Sequence, residues 1–414
     1  MAQHNNLING EWVAGASYTA NINPSNLKDV IGEYAQADAA QVEVAVSAAS
    51  AAFPAWSTGG IQARSDALDK IGNEILARRE ELGTLLSREE GKTKAEGIGE
   101  AGRAGYIFKF FAGECLRLAG ETLPSVRPNI GVEITREPIG VIGLITPWNF
   151  PIAIPAWKIA PALAAGNTVV AKPSEITPYT AFLLSKVCQE INFPAGVLNF
   201  VHGLGPKVGE SICVHPSVKA ISFTGGTSTG KRIASVAAPM FKKLSLELGG
   251  KNPNIIFADC DYEEMLATSV RSSFANQGQI CLCGSRIFVE RPLYEKFKTD
   301  FVARVSKLQV GDPMDNNTKT GAVVSEAHMN KVLSYIELAK AEGGTVIAGG
   351  ERANVPDRCA EGWFINPTVI EGLAYNCRTN QEEIFGPIVT IMPFDTEEEV
   401  LMYANSTDYG LAAT

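Results

Sequence analysis

The sequence predicts two α/β domains, the first of them built on a doubly wound parallel sheet. Three observations indicate this fold class. The chain has 414 residues, more than one ordinary domain holds. Hydrophobic residues make up 45% of it and charged residues 20%, which is the composition of a globular protein. Beyond Pro138, short apolar runs alternate with helical stretches, and this alternation is typical of parallel sheets.

The first part of the chain is helical by its periodicity. Over residues 39–88, alanine-rich apolar positions recur at helical spacing, and we predict two amphipathic helices there. Residues 121–137 follow another pattern, in which prolines and a glycine precede an alternation of apolar and polar residues. This pattern predicts an exposed hairpin inserted in the sheet domain, and such a ribbon offers unpaired backbone groups to a partner.

Six short apolar runs of four to six residues carry the predicted strands. They cover residues 140–145, 168–171, 197–201, 220–224, 243–247 and 254–257. After Gly250 the pattern restarts, with a helix over 263–274, a strand over 286–290, a helix over 293–308 and a further α/β set from Val323 onward. We therefore expect a first domain of residues 1–120 and 139–249, a hairpin of residues 121–138 and a second domain of residues 250–414.

Charge and composition exclude several classes of function. The net charge is −9, the wrong sign for a chain that binds nucleic acid or an anionic membrane. The start shows no basic segment followed by an apolar run, so the cytoplasm is expected. The apolar stretch 141–171 contains four prolines and a lysine, which favours buried core over a membrane span. Eight scattered cysteines and four separated histidines predict free thiols and no metal site.

Two glycine clusters are candidates for phosphate binding. The turn over residues 222–231 joins a predicted strand to a predicted helix, so it forms either a nucleotide site or a tight turn. The spacing Gly225-x4-Gly230-Lys231 fits a P-loop except at Arg232, where a hydroxyl should contact Mg²⁺, and a P-loop is therefore disfavoured. The cluster over 203–209 misses the dinucleotide pattern by one residue and predicts a strand-to-helix turn.

Three side chains are candidates for chemistry. Glycine and polar residues before Cys281 would put its sulfur on an accessible turn, although a small core hydrophobe is the alternative. Glu247 ends a largely apolar strand, where burial would raise the pKa of its carboxyl and suit a general base; a boundary ion pair is the alternative. Asn149 follows a strand, where its amide could donate to an oxyanion or form an Asx turn.

Six motifs spread over most of the chain join these separate observations. They are Pro-Trp-Asn at 147–149, Lys-Pro-Ser-Glu at 172–175, Phe-Thr-Gly at 223–225, Leu-Glu-Leu-Gly-Gly-Lys at 246–251, Gly-Gln-Ile-Cys at 278–281 and Glu-Glu-Ile-Phe-Gly-Pro at 382–387. In this order they resemble the NAD(P)-dependent aldehyde dehydrogenase superfamily. The resemblance implies a Rossmann-like cofactor domain, an α/β catalytic domain and a small β-ribbon for oligomerisation. Relatives continue beyond the position of Thr414, so the catalytic domain is expected to be incomplete at its carboxyl end.

The resemblance also implies catalytic roles. Cys281 is the expected nucleophile, and its backbone N–H and the Asn149 amide are expected to hold the oxyanion. Glu247 would activate the water that hydrolyses the thioester, and Lys158 is a weaker candidate for proton relay. An oligomer, either a homodimer or a homotetramer, is expected.

For the cofactor, the resemblance places Lys172 and Glu175 on the adenosine ribose, Glu383 on the nicotinamide ribose and Phe385 against the nicotinamide. A carboxylate at Glu175 would repel a 2′-phosphate, which favours NAD and leaves NADP as the alternative. Further cofactor contacts are expected at Thr146, Pro147, Trp148, Ser174, Gly205, Gly209, Phe223, Thr224, Gly225, Gly226, Thr227 and Leu248. Gly226 departs from the serine that many members carry, so nearby backbone N–H groups or Thr227 would replace that contact.

The substrate is expected to be an aldehyde that also carries a carboxylate. Residues 134–161 are similar to the 2-oxoglutarate semialdehyde branch, and residues from 271 to beyond Cys283 are similar to the 2-aminomuconate and 2-hydroxymuconate semialdehyde branch. Arg103 is a candidate carboxylate partner, the alternative being a helix-surface salt bridge. Two other functions remain open: a silent nucleotide-binding scaffold, disfavoured by the intact Cys281, Glu247 and Asn149, and an acylating coenzyme A-dependent enzyme, disfavoured by Glu247.

Overall fold

The computed structural model describes residues 2–414. Its strands are β1 Gln3–His4, β2 Asn6–Ile8, β3 Glu11–Val13, β4 Ser17–Ile22, β5 Val30–Gln36, β6 Glu121–Pro124, β7 Gly131–Ile134, β8 Val141–Ile145, β9 Thr168–Lys172, β10 Leu198–Phe200, β11 Val218–Thr224, β12 Lys243–Glu247, β13 Pro253–Ile256, β14 Arg286–Glu290, β15 Thr345–Ala348, β16 Thr368–Glu371 and β17 Ile388–Phe394. Its α-helices are α1 Ala39–Thr58, α2 Ile61–Ala77, α3 Arg79–Glu90, α4 Lys94–Cys115, α5 Ala153–Ala164, α6 Pro178–Glu190, α7 Glu210–Val214, α8 Thr227–Ala237, α9 Tyr262–Phe274, α10 Arg291–Val305, α11 Glu326–Ala341, α12 Arg378–Gln381 and α13 Glu397–Ala404.

The chain divides into two compact units. Unit 1 contains the residues up to Asn21 together with Ile31–Leu85 and Ile98–Glu247, and unit 2 contains Ile22–Val30, Leu86–Gly97 and Leu248–Thr414. These units differ from the predicted domains in giving two segments of the first half of the chain to unit 2. The predicted division into cofactor and catalytic domains stays a proposal.

Unit 1 is organised around a seven-stranded sheet in the order β12-β11-β8-β9-β10-β2-β3. The first five strands of this order pair in parallel, and β2 and β3 extend the sheet antiparallel. All residues of the central strands β8 and β9 are buried, which agrees with their continuous apolar sequences. The predicted α/β fold class is confirmed.

The order of these strands defines where a ligand would bind. Strand β9 follows β8 on one side, whereas β11 returns to the other side of β8, so the chain reverses direction across the sheet next to β8. In open α/β sheets, ligands bind beyond the carboxyl ends of the strands at such a reversal. The segments after Ile145 and after Thr224 lie at that position.

The helical region over 39–88 holds three helices, α1, α2 and α3, where two were predicted. Helix α1 ends at Thr58 before Gly59 and Gly60, and α2 ends at Ala77 before Arg78. No glycine or proline marks the break between α2 and α3 at Arg78, which explains why the pattern predicted one helix fewer. In residues 2–414 no helix is long and apolar enough to cross a membrane.

Unit 2 contains a five-stranded sheet in the order β13-β14-β17-β16-β15, parallel except where β15 pairs with β16. Apolar side chains from α9 and α10 pack on this sheet, among them Phe274, Phe297 and Phe301. The segment predicted as a hairpin forms the antiparallel pair β6 and β7, and every residue of both strands is exposed.

Candidate active site

A cavity of about 740 Å³ opens in unit 1 beyond the carboxyl ends of β8 and β11. Helix α8 begins there at Thr227, and its N-cap residue Gly226 lines the cavity. A helix N-terminus presents unsatisfied backbone N–H groups and a positive dipole end, so this side of the cavity suits an anionic group. The size of the cavity is within the range of cofactor sites.

Most of the predicted cofactor contacts line this one cavity. They are Thr146, Pro147, Trp148, Lys172, Ser174, Glu175, Gly205, Gly209, Phe223, Thr224, Gly225 and Gly226. Thr227, at the first position of α8, does not line the cavity. Eight further lining residues were not predicted as cofactor contacts; they are Ile145, Pro206, Glu210, Cys213, Ser228, Thr229, Arg232 and Ile233. Several of them follow the glycine motifs by one helical turn, a spacing that could have identified them.

An ion pair between a buried lysine and a partly exposed glutamate forms one wall of the cavity. The Nζ atom of Lys172 donates to Glu175 Oε2 at 3.0 Å and to the carbonyl oxygens of Pro173 and Gly203 at 2.6 and 2.9 Å. Burial lowers the pKa of Lys172, against the opposing effect of Glu175. Burial raises the pKa of Glu175, but Lys172 and backbone N–H groups outweigh it, and the net pKa is below the ordinary value. The carboxylate is therefore charged at neutral pH.

Asn149 lies in the loop between β8 and α5, and its side chain is 3% exposed. The buried carboxylate of Glu100 orders the end of this loop, because its Oε1 accepts from the backbone N–H groups of Ile152 and Ala153 at 3.1 and 3.2 Å. These are N–H groups at the start of α5, which have no partner within the helix. A long-range contact from α4 thus holds the loop that carries Asn149.

Glu247 does not lie in the environment that was predicted. It is exposed at the end of β12, which is the edge strand of the seven-stranded sheet, and the expected burial of its carboxyl is wrong. Along β12 half-buried leucines alternate with exposed polar residues, a period of two that indicates a half-exposed strand rather than a buried one.

Lys158 lies on α5 and contacts β11 through its side chain. Its Nζ donates to Ser222 Oγ at 2.8 Å. Burial lowers the pKa of Lys158 to about 8, although the charge of Glu247 opposes that shift. A lysine with this pKa exchanges its proton readily near neutral pH.

In unit 2, Cys281 follows a left-handed turn. Asn276 and Gln277 have φ values of 50° and 56°, and Gly278 has a φ of 69°. Cys281 is partly exposed, whereas Cys283 is buried and burial raises the pKa of its thiol to about 12. Only Cys281 of this pair has the exposure that a nucleophile needs.

The backbone around Cys281 is held by Asn252. Its Nδ2 donates to the carbonyl oxygens of Cys281 and Cys283 at 2.6 and 3.0 Å. Gly250 also approaches closely, since a Cβ at this position would lie 2.7 Å from the Cys281 carbonyl oxygen. The motif over 246–251 therefore supplies close packing beneath the cysteine turn.

Glu383 and Phe385 lie on the segment that precedes β17. Glu383 Oε1 accepts from the Gly250 N–H at 3.0 Å. Burial raises the pKa of Glu383, opposed by that N–H group and by Lys331 and Lys251.

Lys251, which was not predicted as a site residue, is almost fully buried, and burial together with Arg286 lowers its pKa to about 7.

One face of α11 holds this segment by its carbonyl groups. His328 Nε2 donates to the Phe385 carbonyl oxygen at 2.7 Å, and Lys331 Nζ donates to the Glu383 carbonyl oxygen at 3.2 Å. Phe385 has a φ of 65°, and its ring meets the His328 ring edge to face. Burial lowers the pKa of His328 to about 4, so the imidazole is neutral at pH 7. The role of His328 was not predicted from the sequence, because an isolated histidine on a helix does not indicate which distant residue it contacts.

The structure brings several predicted residues together within each unit. In unit 2, Cys281, Glu383 and Phe385 line one small cavity with Gly250 and Gly278. Leu248 follows β12 at the start of unit 2 and does not line that cavity.

In unit 1, the exposed Arg103 lies with its guanidinium carbon 5.0 Å from the centre of the Trp157 ring. Residues 2–414 contain no cluster of three or more side chains that could hold a metal ion.

Comparisons with known proteins identify the family of the chain. The model of the family described as "Aldehyde dehydrogenase family" matches residues 12–414. A 2-aminomuconic semialdehyde dehydrogenase of Danio rerio is 45% identical over 413 residues, covering 99% of this chain and 84% of the relative. A 2-hydroxymuconic semialdehyde dehydrogenase of Pseudomonas sp. (strain CF600) is 42% identical over 423 residues, covering 100% of this chain and 87% of the relative.

Solved structures give the same result. A betaine aldehyde dehydrogenase of Staphylococcus aureus, solved in complex with NAD+, has a TM-score of 0.96 at 40% identity and covers 99% of this chain and 82% of its own. A putative aldehyde dehydrogenase of Burkholderia cenocepacia has a TM-score of 0.96 at 38% identity, covering 100% and 84%. On its motifs, fold, family match and relatives, the chain belongs to the aldehyde dehydrogenase family.

Proposed function

We propose that the protein oxidises a semialdehyde acid to the corresponding dicarboxylic acid, with NAD as the oxidant and Cys281 as the nucleophile. The observation that carries this proposal is the cavity of unit 2, where a partly exposed cysteine lies with Glu383 and Phe385, the residues that the family resemblance assigns to the nicotinamide half of the cofactor. The names of the similar semialdehyde dehydrogenases support the substrate class.

The cavity of unit 1 fits the adenosine and phosphate groups of NAD. Its lining combines the N-terminus of α8, glycines at Gly225 and Gly226, and the Lys172–Glu175 pair. The helix N-terminus suits the pyrophosphate, and the Glu175 carboxylate would accept hydrogen bonds from ribose hydroxyls. When bound, NAD supplies the acceptor for the hydride that leaves the aldehyde carbon.

The chain's own groups account for the remaining steps. The Cys281 thiolate forms a C–S bond with the aldehyde carbon, and the π electrons of the carbonyl move to oxygen. We assign the Asn149 amide and the Cys281 N–H as donors to that oxyanion. Loss of hydride leaves a thioester on Cys281. Glu247 then takes a proton from water, the hydroxide attacks the thioester carbon, and the C–S bond breaks to release the acid and the thiolate.

Exposure at Glu247 suits this role in one respect, because a base that activates water must reach solvent. Lys158 would receive or return a proton nearby, since its ammonium is held at Ser222 and its pKa lies at about 8. A hydrolytic base favours the acid as product over an acyl-coenzyme A. Product analysis by mass spectrometry, with and without coenzyme A, tests this part of the proposal.

Arg103 is our candidate for the substrate carboxylate. It is exposed on α4, and its guanidinium lies over Trp157, an arrangement that orients the flat group without neutralising its charge. An arginine can bind a carboxylate through two parallel hydrogen bonds. The same charge would disfavour a cationic aldehyde such as betaine aldehyde, the substrate named for the similar Staphylococcus aureus enzyme.

Steady-state kinetics on Arg103→Met test this specificity. Methionine keeps the apolar stem over Trp157 but removes the charge. We expect kcat/KM for semialdehyde acids to fall about 10- to 100-fold, as for loss of a charge-assisted pair, with little change for aliphatic aldehydes. The exposed Arg127, in the loop of the hairpin, gives the matched control Arg127→Met. An equal change for both aldehyde classes would remove Arg103 from the site.

We further propose that the protein acts in the cytoplasm as a homodimer or homotetramer that uses the β6–β7 hairpin. Leu123, Val132 and Ile134 on this hairpin are all exposed, and exposed apolar ribbons are typical of association surfaces. Sedimentation of the protein and of the Leu123→Lys/Val132→Lys variant tests the oligomer. A variant that sediments like the unaltered protein would exclude the hairpin as the interface.

A further inference from the structure

The left-handed turn before Cys281 needs an external support. Asn276 and Gln277 both carry a Cβ, yet both have left-handed backbone, and Gly278 continues the same conformation. Side chains with a Cβ disfavour this region, so such a conformation persists only where the surroundings impose it. Because Cys281 lies three residues beyond Gly278, whatever holds the turn also determines where the sulfur lies.

Glu96 is one of the residues that hold this turn, and each of its two carboxylate oxygens accepts hydrogen bonds from a different segment. Its Oε2 accepts from the N–H and the hydroxyl of Thr93 at 3.0 and 2.7 Å, which forms a capping box with the Glu96 N–H donating to Thr93 Oγ1. Its second oxygen, Oε1, accepts from the backbone N–H of Asn276 at 2.8 Å. One carboxylate therefore joins the start of α4 to the first residue of the turn.

Glu90 is the second support, and it is fully buried. Its Oε1 accepts from Asn276 Nδ2 at 3.3 Å and from Gln279 Nε2 at 3.4 Å, which are the first residue of the turn and the residue that follows it. Its Oε2 accepts from the Lys92 N–H at 3.0 Å, and the Lys92 ammonium lies 3.9 Å away. A buried carboxylate with this many donors is costly unless every donor is in place, which makes the arrangement specific.

We propose that Glu96 and Glu90 are positioning residues for the catalytic cysteine: their carboxylates hold the left-handed turn over 276–278 and thereby set the position of the Cys281 sulfur. This inference rests on the proposed role of Cys281 as the nucleophile. Neither carboxylate takes part in the chemistry. Each acts through hydrogen bonds to the backbone and side chains of the turn.

A carboxylate is required at Glu96 because two separate donors need two acceptor oxygens. In Glu96→Gln, the amide has one oxygen, so either Thr93 or Asn276 meets an NH2 group instead of an acceptor. In Glu90→Gln, the single amide oxygen can accept either from the Lys92 N–H or from Asn276 and Gln279, but not from both sets of donors. Both variants keep the shape of the side chain, so they test acceptor count rather than packing.

The test measures Cys281 directly and then turnover. The first readout is the rate at which iodoacetamide alkylates Cys281 in the folded protein, followed by mass spectrometry of the peptide that contains it. The second is the separation of kcat from KM for NAD in full-chain enzyme. As a control, Thr396→Ala removes an N-cap acceptor in the same unit, where Thr396 Oγ1 accepts from the Glu399 N–H at 3.2 Å.

We expect Glu96→Gln and Glu90→Gln each to slow alkylation of Cys281 about 10-fold and to lower kcat about 10- to 100-fold, the effect of misplacing a reacting group by about 1 Å, with KM for NAD within about twofold. Thr396→Ala should alkylate and turn over like the unaltered protein. If Glu96→Gln does not fold, Glu90→Gln decides the matter by the same readouts.

Alkylation and kcat at the unaltered level in a folded carboxylate variant would overturn the inference. A rise in KM for NAD with unchanged alkylation would do so as well, since it would place the carboxylates at the cofactor. The proposed function is judged separately by Cys281→Ala. If that variant still oxidised aldehydes, the proposed function would fail, whereas an inactive Cys281→Ala beside a fully active Glu96→Gln would refute only the positioning role.

Discussion

The cavity of unit 1 and the cysteine turn of unit 2 differ in the groups that form them and in what those groups must do. The cavity is built from the carboxyl ends of parallel strands, a helix N-terminus and glycines, so its binding groups are largely backbone. The cysteine turn is built from strained backbone and a buried network of carboxylates and amides contributed by distant segments. A cofactor needs a complementary surface, whereas a nucleophile needs one fixed position.

This difference predicts how each region tolerates change. A backbone site loses affinity when a side chain intrudes, but its fold persists. A strained turn loses both position and stability, because its conformation depends on every supporting contact. Matched substitutions in the two units can therefore break the comparison or sharpen it.

The largest contrast is expected between two glycine substitutions. In Gly278→Ala the new Cβ would lie 2.2 Å from the Gly386 carbonyl oxygen at a φ of 69°, so we expect a loss of about 2–4 kcal/mol in the free energy of unfolding and near-complete loss of activity. In Gly226→Ala the Cβ meets no atom within 4 Å, so stability should hardly change while NAD affinity falls. Denaturant unfolding and NAD titration measure both. Equal destabilisation of the two variants would contradict the contrast.

A smaller effect is expected at the Lys172–Glu175 pair. In Glu175→Gln the charge that would repel a 2′-phosphate is removed, while Lys172 keeps an oxygen acceptor. We expect the ratio of kcat/KM for NADP to that for NAD to rise about 10-fold, since roughly 1.4 kcal/mol corresponds to that factor. Glu210→Gln, at another residue lining the cavity, is the control. An unchanged ratio in Glu175→Gln would remove this residue from ribose selection.

The support of Phe385 gives a prediction of similar or smaller size in unit 2. His328→Leu cannot donate to the Phe385 carbonyl, whereas His328→Gln can. We expect His328→Leu to raise KM for NAD about 5- to 10-fold, the worth of about one hydrogen bond, and His328→Gln to recover most of that loss. Steady-state kinetics at saturating aldehyde measure it. Equal KM values in the two variants would show that the donor at this position is irrelevant.

The smallest contrast concerns acid stability. Burial lowers the pKa of His202 in unit 1 to about 3 and that of His328 in unit 2 to about 4, both below the ordinary value of 6.5. Between those values and pH 6.5 the unfolded chain binds more protons, so the free energy of unfolding is complete above pH 6.5 and falls as the pH falls towards 3.

Two variants assign that loss to the units. We expect His202→Phe to remove more of the acid-induced loss, on the order of 3 kcal/mol for the unaltered residue, than His328→Gln does. Both ring nitrogens of His202 lack a hydrogen-bond partner within residues 2–414, so a proton there gains no compensating contact. Urea unfolding from pH 7 to pH 4 measures the difference. An acid loss that persists unchanged in His202→Phe would exclude this residue as its source.

The sequence predicted the cavity better than the cysteine turn. Gly225 and Gly226 lie in a strand-to-helix turn that the local pattern predicts, whereas the places of Lys172 and Glu175 were inferred from the family resemblance. The burial predicted for Glu247 was wrong because β12 is an edge strand in which only the two leucines are partly buried and the polar residues between them are exposed.

The supports of Cys281 were not predictable in this way. Glu90 and Glu96 precede Asn276 by 186 and 180 residues, and nothing local marks them as partners. His328 and Phe385 are likewise 57 residues apart. Contacts of this kind are set by tertiary packing, which periodicity and turn motifs do not encode. Cys281 itself was found because glycine and polar residues before a cysteine indicate an exposed turn.

The most direct test of the account is the rate of reduced nicotinamide formation when the purified protein meets NAD and a panel of semialdehyde acids, aliphatic aldehydes and betaine aldehyde, beside Cys281→Ala. The account predicts turnover that is fastest with semialdehyde acids and that falls at least about 1000-fold in Cys281→Ala, as expected when a covalent nucleophile is removed. Turnover that survives in Cys281→Ala would contradict the central claim that this cysteine carries the reaction.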